Sequence, residues 1–220
     1  MKKIISFSIW GPKDKYTKAA LLNVELAKKI YPGWVCRFYV DETVPENIRE
    51  TLAKESEVIM MPKSDGNYGM FWRFMPLDDL EIERFIVRDT DSRLNIREAD
   101  AVQEWIESEK EFHCMRDNVA HDPVPICGGM WGATSKFINR FNYKQQLDRW
   151  LSNNVYRIFG HPRGKYFFID QSFLADTAWP LVINKHIAHV SYDSKWPGNK
   201  KNFRVTNPDN SFVGQPYDYE

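Results

Sequence analysis

The sequence predicts an α/β fold, with one mixed, mostly parallel central sheet flanked by helices. Three observations carry that expectation. Short apolar runs alternate with segments of helical period along the chain. Phe85-Ile86-Val87 is apolar at every position and stops at Arg88-Asp89, the pattern of a strand buried on both faces that feeds a loop. No repeat, low-complexity tract or linker divides the 220 residues, so 1–220 reads as a single domain.

The elements follow in order. Ile4 to Ile9 makes a first strand that ends at the Gly11-Pro12 break. Over 16–30, Ala20, Leu21, Val24, Leu26 and Ala27 fall on one helical face, and Tyr31-Pro32-Gly33 stops the helix. Trp34 to Val40 returns as a strand, 41–54 supplies a loop and a second helix, and Val58 to Met61 forms a third strand. After Phe85–Val87, Asn95 with Glu98 three residues on starts a helix whose Val102, Trp105 and Ile106 face inward. Phe112 to Met115 and Ile126 to Trp131 are further strands, the second loosened by Gly128-Gly129. Helices are expected over 135–152, with a break, and over 171–178, before a last strand from Ile187 to Tyr192. The tail from Lys195 is rich in Pro, Gly and Asn.

Charge and composition exclude several classes. Thirty Lys and Arg balance thirty Asp and Glu, so the chain lacks the basic footprint of a nucleic-acid binder and any polybasic tail. No apolar run approaches the ~18 residues that span a bilayer, and Ile4 to Trp10 is too short for a secretory signal. Cys36, Cys114 and Cys127 are odd in number and widely spaced, which suits a reducing compartment; the cytoplasm and a monomeric state are the expectations. Aromatics reach 15%, enough either for a large aromatic core or for flat surfaces that stack on a sugar or base.

In such sheets ligands bind outside the carboxyl ends of strands, which points to Trp10-Gly11, Arg88-Asp89 and the loop after the last strand. Asp89 and Asp91, two residues apart at a strand end, suit one hard divalent cation, Mg²⁺ or Mn²⁺, whose shell phosphate oxygens complete. The alternative there is a solvated turn closed by Asp89. Arg73, set among aromatics in Gly69-Met70-Phe71-Trp72-Arg73-Phe74, needs an anionic partner if buried, either a ligand or an acid such as Asp89. Asp170-Gln171 opens a short helix, as a cap or as a pair that hydrogen-bonds sugar hydroxyls. His186 and His189 point to opposite faces of a strand and cannot chelate together, which leaves His189 as a candidate third metal ligand or a packed residue. Lys195, Lys200 and Lys201 have the composition of a mobile basic loop able to cover a diphosphate, or of a solvated turn. Asp117 in Arg116-Asp117-Asn118 is a candidate sugar contact or a turn residue, and Gly128-Gly129 would let backbone approach a sugar closely.

Taken together, W-R-F, F-I-V-R-D-T-D-S-R, P-I-C-G-G-M-W-G, D-Q and H-V-S, in that order, resemble a small DxD glycosyltransferase of the GT-A fold. The chain is similar to the family-8 and family-32 enzymes, and more so to the compact glycosyltransferase domain of chlorella viruses and some bacterial polysaccharide loci. The resemblance runs from Ser6 to Gln215. It implies a Rossmann-like nucleotide-binding part over about 1–95 and a donor-sugar and acceptor part over about 96–220. By that resemblance Ser8, Ile9, Trp10 and Tyr16 hold the base and ribose of a nucleotide-sugar, Arg73 and Arg88 contact the donor, and Asp89 lies near ribose and metal. Asp91 and His189 are implied as metal ligands, with Lys195 on the diphosphate. Asp170, Gln171 and Asp117 fall at the donor sugar, next to Gly128 and Gly129. The implied reaction is metal-dependent transfer from a UDP-sugar to a glycan or other acceptor, with a retaining outcome by analogy with the D-Q families. The chain lacks the family-8 histidine-glycine-lysine-proline-tryptophan ending and has H-V-S-Y-D-S-K-W-P-G-N instead. Two other readings stay open: a haloacid-dehalogenase-like phosphatase using Asp89 and Asp91, and a non-enzymatic carbohydrate-binding module.

Overall fold

Period-two alternation in the first strand decides the layering. In a computed structural model that describes residues 1–218, β1 (Lys2–Ile9) is buried from Ile4 onward. Ile5, Phe7 and Ile9 join a cluster with Ala20, Val24, Phe38 and Trp105, while Ile4 faces the other way, toward Phe71, Phe74, Phe85 and Trp131. Ser6 and Ser8 share the face of Ile4, and the Ser6 hydroxyl donates to the Arg73 carbonyl at 2.7 Å. The aromatic excess serves mainly the core: Phe74, Phe85 and Phe112 all pack on the fully buried Trp131.

The other strands are β2 (Val35–Asp41), β3 (Glu57–Met61), β4 (Ile82–Val87), β5 (Phe112–Arg116), β6 (Trp131–Thr134), β7 (His186–Val190) and β8 (Asn199–Asn202). They form one eight-stranded sheet in the order β3-β2-β1-β4-β6-β5-β7-β8. Only β6 runs against its neighbours; the remaining pairs are parallel. The mixed, mostly parallel α/β sheet is the one expected.

The helices are α1 (Asp14–Ile30), α2 (Glu46–Glu55), α3 (Ile96–Glu107), α4 (Ser135–Phe141), α5 (Tyr143–Asn153), α6 (Val155–Ile158) and α7 (Ile169–Phe173), which runs on through a π turn at Leu174–Ala178 into α8 (Trp179–Val182). Asn95 caps α3 as its spacing predicts, accepting from the Glu98 amide at 2.9 Å. The break expected within 135–152 falls at Asn142, in left-handed backbone (φ 49°). No helix among the described residues is long and apolar enough to cross a membrane.

The sequence pattern and the local structure differ at three places. The strand expected at Ile126 begins only at Trp131, because 126–130 turns past the buried Asp170 carboxylate and the partly exposed Asp89. Tyr68–Asp78 forms an irregular 3₁₀ segment, which a run of mixed aromatics does not announce. The polar Asn199-Lys200-Lys201-Asn202 adds an edge strand in the tail, where lysines suit an exposed edge but hide the strand from a hydrophobic pattern.

Candidate functional site

After β1 the chain moves outward through β2 and β3, then returns to place β4 on the other side of β1. That reversal opens a crevice at the carboxyl ends of β1 and β4. A cavity of about 320 Å³ fills it. Ser8, Ile9, Trp10 and Tyr16 line one side, Arg73 and Met70 come from the 3₁₀ segment, and Asp89, Thr90 and Asp91 from the turn after β4. Phe167, Gly214 and Pro216 complete the wall. Ser8, Ile9, Trp10, Tyr16, Arg73, Asp89 and Asp91 are therefore brought together.

Arg73 is the hub. It is 6% exposed, and its two Nη atoms bind Asp89 Oδ1 and, at 2.8 Å, Asp170 Oδ2. Burial alone would lower its pKa, but the two carboxylates outweigh that and raise it. Asp170 lies behind the cavity wall rather than in it. Burial pushes its carboxyl up against the pull of Arg73, and its Oδ1 has no protein partner. Asp170 thus reaches the cavity through Arg73. Gly128 and Gly129 pass so close that any side chain would collide: a Cβ on Gly128 would sit 2.7 Å from Arg73 Nη2, and one on Gly129 would sit 2.9 Å from the Asp89 backbone nitrogen.

The turn carrying Asp89 and Asp91 is pinned from α1. Asn23 is 1% exposed and donates through Nδ2 to the carbonyls of Thr90 (3.2 Å) and Ser92 (2.8 Å), while its Oδ1 accepts from the Leu94 amide (3.0 Å). From the other side the Tyr217 amide donates to the Asp91 carbonyl at 2.8 Å. Asn23→Ala would leave buried backbone groups unpaired at about 1–3 kcal/mol each. We expect a loss of about 2–3 kcal/mol in urea unfolding, and a loss under about 1 kcal/mol would show that water replaces the amide.

Asp91 sits where burial and then the neighbouring Asp89 charge push its carboxyl up, against the pull of Lys15 at 3.3 Å. Two carboxylates with mutual repulsion on an open cavity fit a hard divalent cation with phosphate and water as its other ligands. Lys15 was not expected from sequence; a lysine one residue before an expected binding residue carries no distinguishing pattern.

Several expected site residues lie elsewhere. His189 is buried, with Nδ1 2.9 Å from His113 Nε2 and Nε2 3.1 Å from Glu104, and β7 stands three strands from β4, roughly 14 Å at ordinary spacing. It therefore supplies no ligand beside Asp91. Among the described residues no cluster of three or more His, Cys, Asp or Glu gathers for a metal. Arg88 turns into the core, where it binds Glu98 at 3.0 Å, and Tyr31 donates to the same Glu98 oxygen. Asp117 is saturated by both forks of Arg97 at 2.7 Å, the Ser191 hydroxyl and the Val213 amide, which hold its pKa down despite burial. Lys195 lies 5.2 Å over the Trp196 ring, Lys200 ties to the Ser194 carbonyl, and Lys201 faces Glu104 at 3.7 Å, so none covers the cavity. Gln171 is half-buried on α7, outside the cavity lining.

No family model matches the sequence, and no curated protein matches it. Solved structures do share its fold. GlyE, a glycosyltransferase of Streptococcus pneumoniae, aligns at 11% identity over 85% of this chain with a TM-score of 0.54; the chain spans 44% of its length. A glycosyltransferase involved in glycosylating the major capsid of PBCV-1 aligns at 14% identity over 86% of this chain and 82% of its own, TM-score 0.53. The UDP complex of glucosyl-3-phosphoglycerate synthase from Mycobacterium tuberculosis aligns at 9% identity over 94% and 74%, TM-score 0.52. Nucleotidyltransferases also have this fold. The fold is thus the GT-A-like fold that the motifs resemble.

Proposed function

We propose that this chain is a glycosyltransferase that moves a sugar from a UDP-sugar to a glycan acceptor with the help of Mn²⁺ or Mg²⁺. One observation carries the reading: the cavity at the β1–β4 switch point is walled by an arginine shared between carboxylates and by the Asp89–Asp91 pair. Ser8, whose buried hydroxyl lacks a protein partner, would meet the nucleoside with Ile9, Trp10 and Tyr16. Asp89 and Asp91 would hold the metal, and a bound metal would neutralise charge developing on the departing diphosphate. Arg73 adds fixed positive charge beside the same oxygens. Asp170 positions Arg73, and Lys15 is free to turn from Asp91 to phosphate once a metal takes its place. On the sequence resemblance of Asp170-Gln171 we assign a retaining outcome, which the anomer of the product reports.

Thermal melting with UDP, GDP or CDP, each with Mn²⁺ or EDTA, tests the reading. A ligand at a hundred times its Kd stabilises by about 2.7 kcal/mol, a midpoint shift of about 5–10 °C for a domain this size. The shift is expected with UDP and metal together and is expected to vanish in Asp91→Asn, whose fold stays intact. An unchanged shift in that variant removes the metal assignment, and no shift with any nucleotide removes the transferase and leaves the carbohydrate-binding reading. UDP release from UDP-sugars separates a glycosyltransferase from a nucleotidyltransferase, which would instead release pyrophosphate from a nucleoside triphosphate and a sugar 1-phosphate.

A further inference from the structure

Two aromatic residues in left-handed backbone, Tyr166 (φ 61°) and Phe168 (φ 60°), flank Phe167 just before α7. Side-chain-bearing residues enter that region only where their surroundings hold them, and such positions gather at ligand sites. Here Phe167 forms part of the cavity wall, and Phe168 stands beside it 53% exposed. The two ring centroids lie 4.3 Å apart, and His161 stacks on Phe167 at 4.5 Å and 28°. The chain thus holds an aromatic ring open to solvent at the lip of the donor cavity.

We propose that this lip, Phe168 backed by Phe167 and His161, is the acceptor site, and that the acceptor presents an uncharged pyranose stacked on the Phe168 ring. The inference rests on the glycosyltransferase reading. The attacking hydroxyl has to reach the donor sugar through the cavity mouth, so whatever covers a surface continuous with that mouth is the acceptor. Two of the neighbouring cations already have acid partners, Arg157 with Asp176 and Lys165 with Asp65, both at 3.0 Å, which weighs against an anionic occupant. Arg163, 5.2 Å over the Phe167 ring, leaves a polar rim for hydroxyl groups. A pyranose suits such a place, since its C–H face packs on an aromatic ring while its hydroxyls stay at the wet rim.

Saturation-transfer NMR on the full chain with UDP and Mg²⁺, probing methyl glucopyranoside, galactopyranoside and mannopyranoside in turn, tests this. Saturation is expected to reach protons on one face of at least one sugar, to fall by about fivefold in Phe168→Ala, as losing one stacking contact implies, and to persist in Phe168→Tyr. No transfer to any sugar, or transfer unchanged in Phe168→Ala, overturns the proposal. Binding of anionic vesicles that Phe168→Ala abolishes, without saturation transfer, also overturns it, in favour of a membrane surface. UDP affinity measured alongside keeps the two readings apart. If wild-type chain does not bind UDP, the transferase reading fails, and if Phe168→Ala alone loses UDP, the ring belongs to the donor cavity and not to an acceptor.

Discussion

Arg73→Met is expected to destabilise the chain by about 3–5 kcal/mol and to abolish nucleotide binding, because it leaves a carboxylate buried without its counter-charge. Asp170 is 1% exposed and its Oδ2 is bound by Arg73. The pH dependence carries a sign. Burial already raises the Asp170 carboxyl, and the loss of Arg73 raises it further. A carboxyl raised in the folded state binds protons more tightly there than in the unfolded chain. The unfolded chain titrates alike in both proteins, so the deficit of the variant is small in acid and grows as pH rises from the raised Asp170 value of the wild type through the still higher value of the variant. Urea unfolding at acid and neutral pH measures it. The double variant Arg73→Met with Asp170→Met should recover most of the stability, since a buried pair replaced by apolar groups is often neutral. It should not recover UDP binding, because Asp89 still lacks its partner. A single variant within about 1 kcal/mol of wild type at neutral pH would mean that Asp170 is already protonated beside the arginine.

How far the site was legible depended on whether its chemistry left a local mark. The turns after β1 and β4 could be read because apolar parallel strands end abruptly there, and Arg73 because a cation among aromatics demands an anion. Asn23 carries a local mark too. It stands three residues after Ala20 and four before Ala27, on the buried face of α1, and a polar residue at a core position is itself a signal. His189, Asp117 and Arg88 were misplaced for another reason. Their types fit the chemistry, but sheet order and one partner each (Glu104, Arg97 and Glu98) decide where they point, and neither is local in sequence. Gly214 and Pro216 reach the cavity only because the tail crosses back to Ser92, a pairing with no periodic trace.

Gly129→Ala is expected to cost about 1–3 kcal/mol and to remove metal-dependent UDP binding, a large effect for one added methyl group. The φ of this glycine lies outside the left-handed region, so the penalty comes from space. The new Cβ would overlap the Asp89 carboxylate and lie 2.9 Å from the Asp89 backbone nitrogen. That backbone cannot yield readily: the Asp89 carbonyl accepts from the Ser92 amide at 3.3 Å and from the Ser92 hydroxyl at 2.8 Å. The carboxylate must rotate instead, which pulls it off Arg73 and away from Asp91. Gly160→Ala is the matching control, because its nearest neighbour would be the Tyr156 carbonyl at an ordinary 3.5 Å, and it should leave both melting and UDP binding unchanged. Adding Asp89→Ala to Gly129→Ala removes the colliding carboxylate, so the pair should be more stable than the sum of the single losses predicts, yet still fail to bind UDP. Strict additivity would place the strain in the backbone at Asp89 instead, and UDP binding retained by Gly129→Ala would separate Asp89 from the nucleotide altogether.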